Sequence, residues 1–114
     1  MPFISIHTNL SPSKAQKDVI KEELGRLISI IPGKSAPVLM VEFIDDSTFY
    51  MGGVSEGGCA MVDVRCYKNA PFEANQQFTQ EVFKLLEREL NIPEGRIYVT
   101  MTELPVWGTK GTLK

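Results

Sequence analysis

Two positions in this chain of 114 residues could move a proton without help from a cofactor. The first is the opening Met1-Pro2. An initiator methionine ahead of a small residue is ordinarily trimmed, and the new terminal nitrogen of Pro2 is then a secondary amine instead of an amide. A free chain-terminal amine titrates at about 7.7–8.0. Burial or a neighbouring cation lowers that value by disfavouring the charged form. An amine that is neutral near pH 7 can act as general base or nucleophile. The second position is Lys34, which follows Pro32-Gly33. Taken alone it is a solvated cation near a helix C-terminus, a place the helix dipole favours. Held by its surroundings it becomes a fixed ammonium at the start of a strand. There it could bind a carboxylate and depress the pKa of an adjacent amine.

The remaining reactive inventory is small: one histidine, His7, and two cysteines, Cys59 and Cys66. A His/Cys metal cluster needs four such ligands, so the count excludes it, and no cofactor is expected. A histidine-based triad would have to be built around His7. The cysteines are seven residues apart in a segment that reads as a strand. Extended, that separation is roughly 23 Å, beyond the ~7 Å a disulfide spans. Being an odd number apart, they face opposite sides of the sheet. Free thiols and an N-terminus without a signal pattern point to the cytoplasm, with signal-independent secretion as the alternative. Lysine and arginine number 12 against 14 acids, a net charge of −2, which disfavours nucleic acid as a partner. No apolar run approaches the roughly 18 residues of a membrane span.

The elements that must position Pro2 and Lys34 follow from periodicity. Pro2 to Thr8 alternates Ile4 and Ile6 with Ser5 and His7, a half-buried strand. Ser11-Pro12 reads as N-cap and first residue of a helix whose apolar stripe runs from Ala15 through Ile20, Leu24 and Leu27 to Ile31. Pro32-Gly33 stops it. Val38 to Ile44 is an apolar strand. The stretch from Asp45 to Gly58 is loop-like, with a short strand near Phe49 to Met51. Ala60 to Tyr67 is the third main strand. Pro71 opens a second helix with Phe78, Val82, Leu85 and Leu86 on one face, Ile97 to Thr102 is the fourth strand, and the tail forms a small hairpin or cap.

The order strand–helix–strand occurs twice. Ile31-Pro32-Gly33-Lys34 and Ile92-Pro93-Glu94-Gly95-Arg96 leave the two helices 61 residues apart, and the same offset carries the first strand onto the third. The expected fold is α+β, a two-layer α/β sandwich. Two pseudo-symmetric βαβ units with right-handed crossovers form one four-stranded mixed sheet, with both helices on one face. Phe3 and Ile4, on opposite sides of the first strand, together with Val62, Val64 and Val99 make the sheet look apolar on both sides, which predicts self-association to cover the second face.

Met1-Pro2-Phe3-Ile4, Thr8-Asn9-Leu10, Gly33-Lys34, Gly52-Gly53-Val54-Ser55-Glu56 and Arg96-Ile97-Tyr98-Val99 occur in order over nearly the whole chain. Together they resemble the macrophage migration inhibitory factor family, which includes D-dopachrome tautomerase, within the tautomerase superfamily. The resemblance implies a homotrimeric, barrel-like assembly with pockets at subunit interfaces. It implies a keto–enol tautomerase in which Pro2 is the general base for an α-keto acid such as phenylpyruvate and Lys34 binds its carboxylate. Asp63-Val64-Arg65-Cys66-Tyr67 falls where relatives carry an acidic or polar residue, an apolar one, His or Lys, then Ser-Ile. Tyr67 thus takes the place of an isoleucine whose backbone N–H contacts substrate, with Cys66 beside it. Tyr98 matches an aromatic that reaches the pocket from an adjacent subunit.

This chain departs from the family pattern at three points. Thr100 stands where many relatives have Asn. The family's Gly-Trp-Asn-Gly-Ser-Thr-Phe tail is replaced by Val106-Trp107-Gly108-Thr109-Lys110-Gly111-Thr112-Leu113, so either Trp107 or Thr109 takes the place of the pocket tryptophan. A Cys-x-x-Cys is absent. The altered tail leaves open a cytokine-like binding protein with an idle pocket and an unidentified protein receptor. Decarboxylation or hydrolytic dehalogenation ranks third, because those activities use additional arginines and only Arg65 is a candidate.

Overall fold

The computed structural model describes residues 1–114. β1 (Pro2–Thr8) and β3 (Ala60–Tyr67) form the centre of a four-stranded sheet and run antiparallel, with Ser5 opposite Asp63 at their midpoint. Each is followed by a helix and then by a parallel outer strand. α1 (Lys14–Leu27) leads to β2 (Met40–Ile44), and α2 (Phe72–Leu90) leads to β4 (Ile97–Leu104). The strand order is β2-β1-β3-β4, as two βαβ units related across the β1–β3 pair require. Neither helix is long and apolar enough to cross a membrane.

Several boundaries differ from those read in the sequence, each for a local reason. α1 is capped by Ser13, not Ser11. Ser13 Oγ accepts the Gln16 N–H at 3.1 Å while Gln16 Oε1 accepts the Ser13 N–H at 2.8 Å. Only Ser13 has a Gln three residues on, so only it can form this reciprocal box. β2 begins at Met40, not Val38, because Ala36–Val38 closes a 3-10 turn around Pro37, which has no N–H for a ladder. The strand near Phe49 reduces to one bridge between Met51 and Val54. β4 continues to Leu104, and the tail forms a hairpin of β5 (Gly108–Thr109) and β6 (Thr112–Leu113). The helix exits keep their 61-residue offset, but the helices start 58 residues apart, at Lys14 and Phe72. The first strand therefore does not map onto the third at 61.

The core lies between the helices and one face of the sheet. Ile4, Ile6, Val62 and Val64 meet Ile20, Leu24, Phe78, Val82, Leu85 and Leu86. This corrects the expectation of a sheet apolar on both faces: Val62, Val64 and Val99 all point to the helices. The other face carries polar side chains at most central positions. Ser5 Oγ donates to Glu42 Oε1 at 2.8 Å and lies 3.1 Å from His7 Nε2. Arg65 pairs with Asp63 at 3.0 Å and lies over the Phe3 ring. Exposed apolar groups on that face are confined to its outer strands, at Met40, Ile44 and Tyr98.

The long loop before β3 is held by side chains from both halves. Arg96 donates to the carbonyls of Gly58 at 2.9 Å, Glu56 at 2.8 Å and Gly57 at 3.4 Å. Asn9 adds a bond to the Gly57 carbonyl and accepts the Cys59 N–H. Charge-assisted bonds are each worth about 1.5–3 kcal/mol, less where water competes. Arg96→Met is therefore expected to cost about 2 kcal/mol in denaturant unfolding. A loss under ~0.5 kcal/mol, the range of an ordinary surface change, would show that Asn9 alone suffices.

Candidate active site

Pro2 opens β1, a position where a strand tolerates the missing N–H. It lies directly opposite Cys66 in the antiparallel pair, and both are buried. Side chains of such a pair share a face, here the helix side, since Cys66 belongs to the core. Lys34 arrives from the first helix exit. Gly33 adopts φ +80°, a left-handed turn that suits glycine, and the Lys34 N–H closes onto the Ile31 carbonyl at 3.1 Å. The half-buried Lys34 then sends Nζ to the carbonyl of Tyr67 at 2.7 Å. The Tyr67 N–H donates to the carbonyl of Met1 at 3.2 Å. Pro2, Lys34, Cys66 and Tyr67 are thus brought together by three elements distant in sequence.

The electrostatics at this end suit a neutral base. Burial holds the terminal amine of Met1 below its ordinary value, and the Lys34 ammonium lowers it further. Lys114 adds to that effect, and Cys66 would oppose it only as a thiolate. Burial pushes the Cys66 thiol up, helped by Glu103 and opposed by Lys34 and the amine. A buried thiol raised in this way stays protonated at neutral pH, so it places no negative charge against the amine.

The other candidates lie elsewhere in the chain. Tyr98 and Thr100 pair with Met61 and Asp63 on the face away from the helices. The β4 residue level with Pro2 and Cys66 is Glu103, so Tyr98 and Thr100 are about 16 and 10 Å along the strand from it. The two are not part of the Pro2 cluster of their own chain. Trp107 exchanges two backbone bonds with Lys114 at the open end of the tail hairpin, whereas Thr109 pairs with Thr112 near its tip. Arg65 is on the far face and engaged by Asp63, so no arginine joins Pro2.

One residue was missed. Glu103 accepts the Ala70 N–H at 2.6 Å and Asn75 Nδ2 at 3.3 Å, fixing the start of α2 beside Cys66. Period-two alternation could have found it, since it shares the core-facing parity of Val99 and Met101.

The internal repeat clarifies which half can do chemistry. Arg96, at the second helix exit, has its guanidinium occupied by three loop carbonyls. Lys34, at the first exit, meets one carbonyl, and its charge lowers the pKa of the terminal amine. Only the first half leaves an amine and a partly unoccupied cation side by side. Proton transfer between carbon and oxygen of an activated acid requires those two groups and no electron carrier.

Comparison with known proteins bears on this arrangement. The family model described as macrophage migration inhibitory factor (MIF) matches residues 1–113. A Xenopus laevis macrophage migration inhibitory factor is 24% identical over 104 residues, covering 91% of this chain and 89% of that protein. A Brugia malayi homolog of the factor is 23% identical over the same shares. Among solved structures, Leishmania major MIF2 superimposes with a TM-score of 0.92 at 22% identity, covering 100% of this chain and 97% of the other. An Entamoeba histolytica MIF-like protein gives 0.86 at 22%, covering 99% and 98%. These structures share the fold.

Proposed function

Because this chain belongs to the macrophage migration inhibitory factor family, which includes tautomerase and cytokine-like members, we propose that it is a cofactor-independent keto–enol tautomerase. Its substrate is an α-keto acid of the phenylpyruvate type. The observation that carries this reading is the double role of Met1. Its peptide bond makes the Pro2 nitrogen an amide, and its carbonyl takes the Tyr67 N–H. Removing Met1 creates the amine and frees the backbone donor at the same place.

In the mechanism that follows, the neutral Pro2 nitrogen takes the proton from the carbon next to the keto group and returns it to oxygen or carbon. Lys34 Nζ, steadied by the Tyr67 carbonyl, holds the substrate carboxylate. The Tyr67 N–H faces the space left by the Met1 carbonyl and stabilises negative charge developing there, the most effective place for a preset donor. Cys66, as a neutral thiol, places no anion of its own beside the base. Tyr98, Thr100 and Trp107 complete the pocket across subunit boundaries of a homotrimer. Light scattering after size exclusion tests the assembly, and a monomer mass would refute it.

The pH dependence has a defined sign. Rate rises as the amine loses its proton, so the ascending limb of kcat/KM follows the amine pKa. Burial and Lys34 lower the Met1 amine from its ordinary value, and the same neighbours are expected to hold the Pro2 amine, once exposed, below the usual chain-terminal range. Lys34→Ala removes a positive neighbour, favours the protonated amine, and moves the limb to higher pH. The lost charge-assisted bond also raises KM about tenfold or more. An unchanged limb would remove Lys34 from the surroundings of the base. The cytokine-like alternative predicts a stable assembly with no turnover of phenylpyruvate at any pH.

A further inference from the structure

The peptide that carries the Tyr67 carbonyl is planar, so its two polar ends point in opposite directions. The carbonyl takes Lys34 Nζ at 2.7 Å. The other end, the Lys68 N–H, donates to the Leu104 carbonyl at 2.8 Å. The turn into α2 follows at once, and its backbone is strained. Lys68 has φ +69°, a left-handed conformation that is unfavourable for a residue with a side chain. Ala70 precedes Pro71, which favours an extended backbone there and leaves the Ala70 N–H outside the helix ladder. Pro71, at the N-cap of α2, makes no side-chain capping bond. The missing partner comes from β4. Glu103, level with Cys66 in the β3–β4 register, accepts the Ala70 N–H at 2.6 Å and Asn75 Nδ2 at 3.3 Å, both on Oε2. The successive residues Glu103 and Leu104 thus hold the chain on both sides of the Lys68 Cα. Released from Glu103, Lys68 would relax to a negative φ. That rotation turns the peptide between Tyr67 and Lys68 and carries the Tyr67 carbonyl away from Lys34.

Resting on the tautomerase reading above, we propose that Glu103 is a positioning residue for substrate binding: by holding the turn at Lys68 it fixes the Tyr67 carbonyl and, through it, the Lys34 ammonium that takes the substrate carboxylate. Glu103 itself touches no substrate. An ammonium has three donors, so Lys34 can keep the Tyr67 carbonyl and still meet a carboxylate. The device depends on reach and not on charge. Both donors meet one oxygen of Glu103, so a glutamine amide oxygen can serve in its place, whereas aspartate falls one methylene short.

The test uses the full chain with Met1 removed and phenylpyruvate as the probe. Glu103→Asp is expected to raise KM and the calorimetric Kd about three- to tenfold with kcat within about twofold, since the carboxylate contact is made in ground and transition states alike. Glu103→Gln should bring both constants back to within about twofold of the parent. In a Lys34→Ala background Glu103→Asp should have no further effect on KM, because two changes on one line of action are not additive. Exchange of the Lys68 N–H into D2O, followed by NMR, should quicken in the Asp variant and not in the Gln variant. An electrostatic role through Cys66, whose thiol Glu103 helps to push up, predicts the reverse order, with Gln impaired and Asp spared, and that result overturns the proposal. So does a lowered unfolding midpoint in the Asp variant with KM and Kd unchanged, and so does full additivity with Lys34→Ala. No turnover by the parent, with Kd and exchange still dividing Asp from Gln, keeps the positioning role and rejects the tautomerase reading. Turnover without that division does the reverse, and a parent that does not bind phenylpyruvate rejects both.

Discussion

Retaining Met1 on Pro2 is expected to abolish tautomerase activity while leaving the fold intact, with kcat/KM on phenylpyruvate falling about 10²- to 10⁴-fold. That range is what a positioned base contributes to proton transfer. The physical reason is electronic and local. An acylated proline nitrogen shares its lone pair with the carbonyl and cannot accept a proton at neutral pH. The Met1 carbonyl also occupies the Tyr67 N–H at 3.2 Å, so the blocked form loses the base and the donor together. Pro2→Gly, with Met1 removed, separates the two effects. It retains a terminal amine and a free Tyr67 N–H but loses the ring that rigidifies the base, so its loss should be smaller than that of the blocked form. Intact mass spectrometry identifies which form is present, and an enol-formation assay reads the rate. Equal activity of the blocked and trimmed forms would eliminate Pro2 as the base.

The largest effect on stability is expected at Phe78. It is the largest fully buried side chain, at 0% exposure, and sits in the α2 face with Val82, Leu85 and Leu86 against the sheet. Phe78→Ala removes apolar area and leaves a cavity that the sheet cannot close, at a cost of about 3–5 kcal/mol. For a domain with a total stability of roughly 5–15 kcal/mol, that is a large fraction. Urea unfolding should show a lower midpoint with little change in slope. Phe72→Ala on the same helix is the internal comparison. Phe72 is 72% exposed, and its loss should stay within about 0.5 kcal/mol. Similar costs at both positions would contradict the packing described here.

Much of the architecture was legible because it is local. Alternation in Pro2–Thr8 and Ala60–Tyr67, the apolar stripes of the two helices, and the Pro-Gly exit at 32–33 depend on neighbours within a few residues. The misplaced boundaries also had local causes that are visible in retrospect. Ser13 wins the cap over Ser11 through Gln16, and Pro37 delays β2. The face assignment was a different matter. Alternation shows that Val62 and Val64 share a side, but two apolar valines at alternate positions do not show that Asp63 and Arg65 pair with each other on the other side. The apparent doubly apolar sheet rested on Phe3 alone for the far face, since Ile4, Val62, Val64 and Val99 all turn to the helices.

The sequence by itself determined the elements, their order, and the two groups suited to the chemistry, Pro2 and Lys34, because residue type and short-range spacing suffice for those. Only the tertiary structure decided what stands beside them. The register of β1 on β3 puts Cys66 opposite Pro2. A slip of one residue would invert every side chain of the strand and present Arg65 or Tyr67 instead. The reach of Lys34 to Tyr67 spans 33 residues, and the influence of Lys114 on the amine joins the two ends of the chain. Such juxtapositions are the outcome of sheet register and core packing summed over the whole domain. No short segment encodes them, which is why Pro2 and Lys34 could be picked out as candidates from the sequence while their surroundings could not.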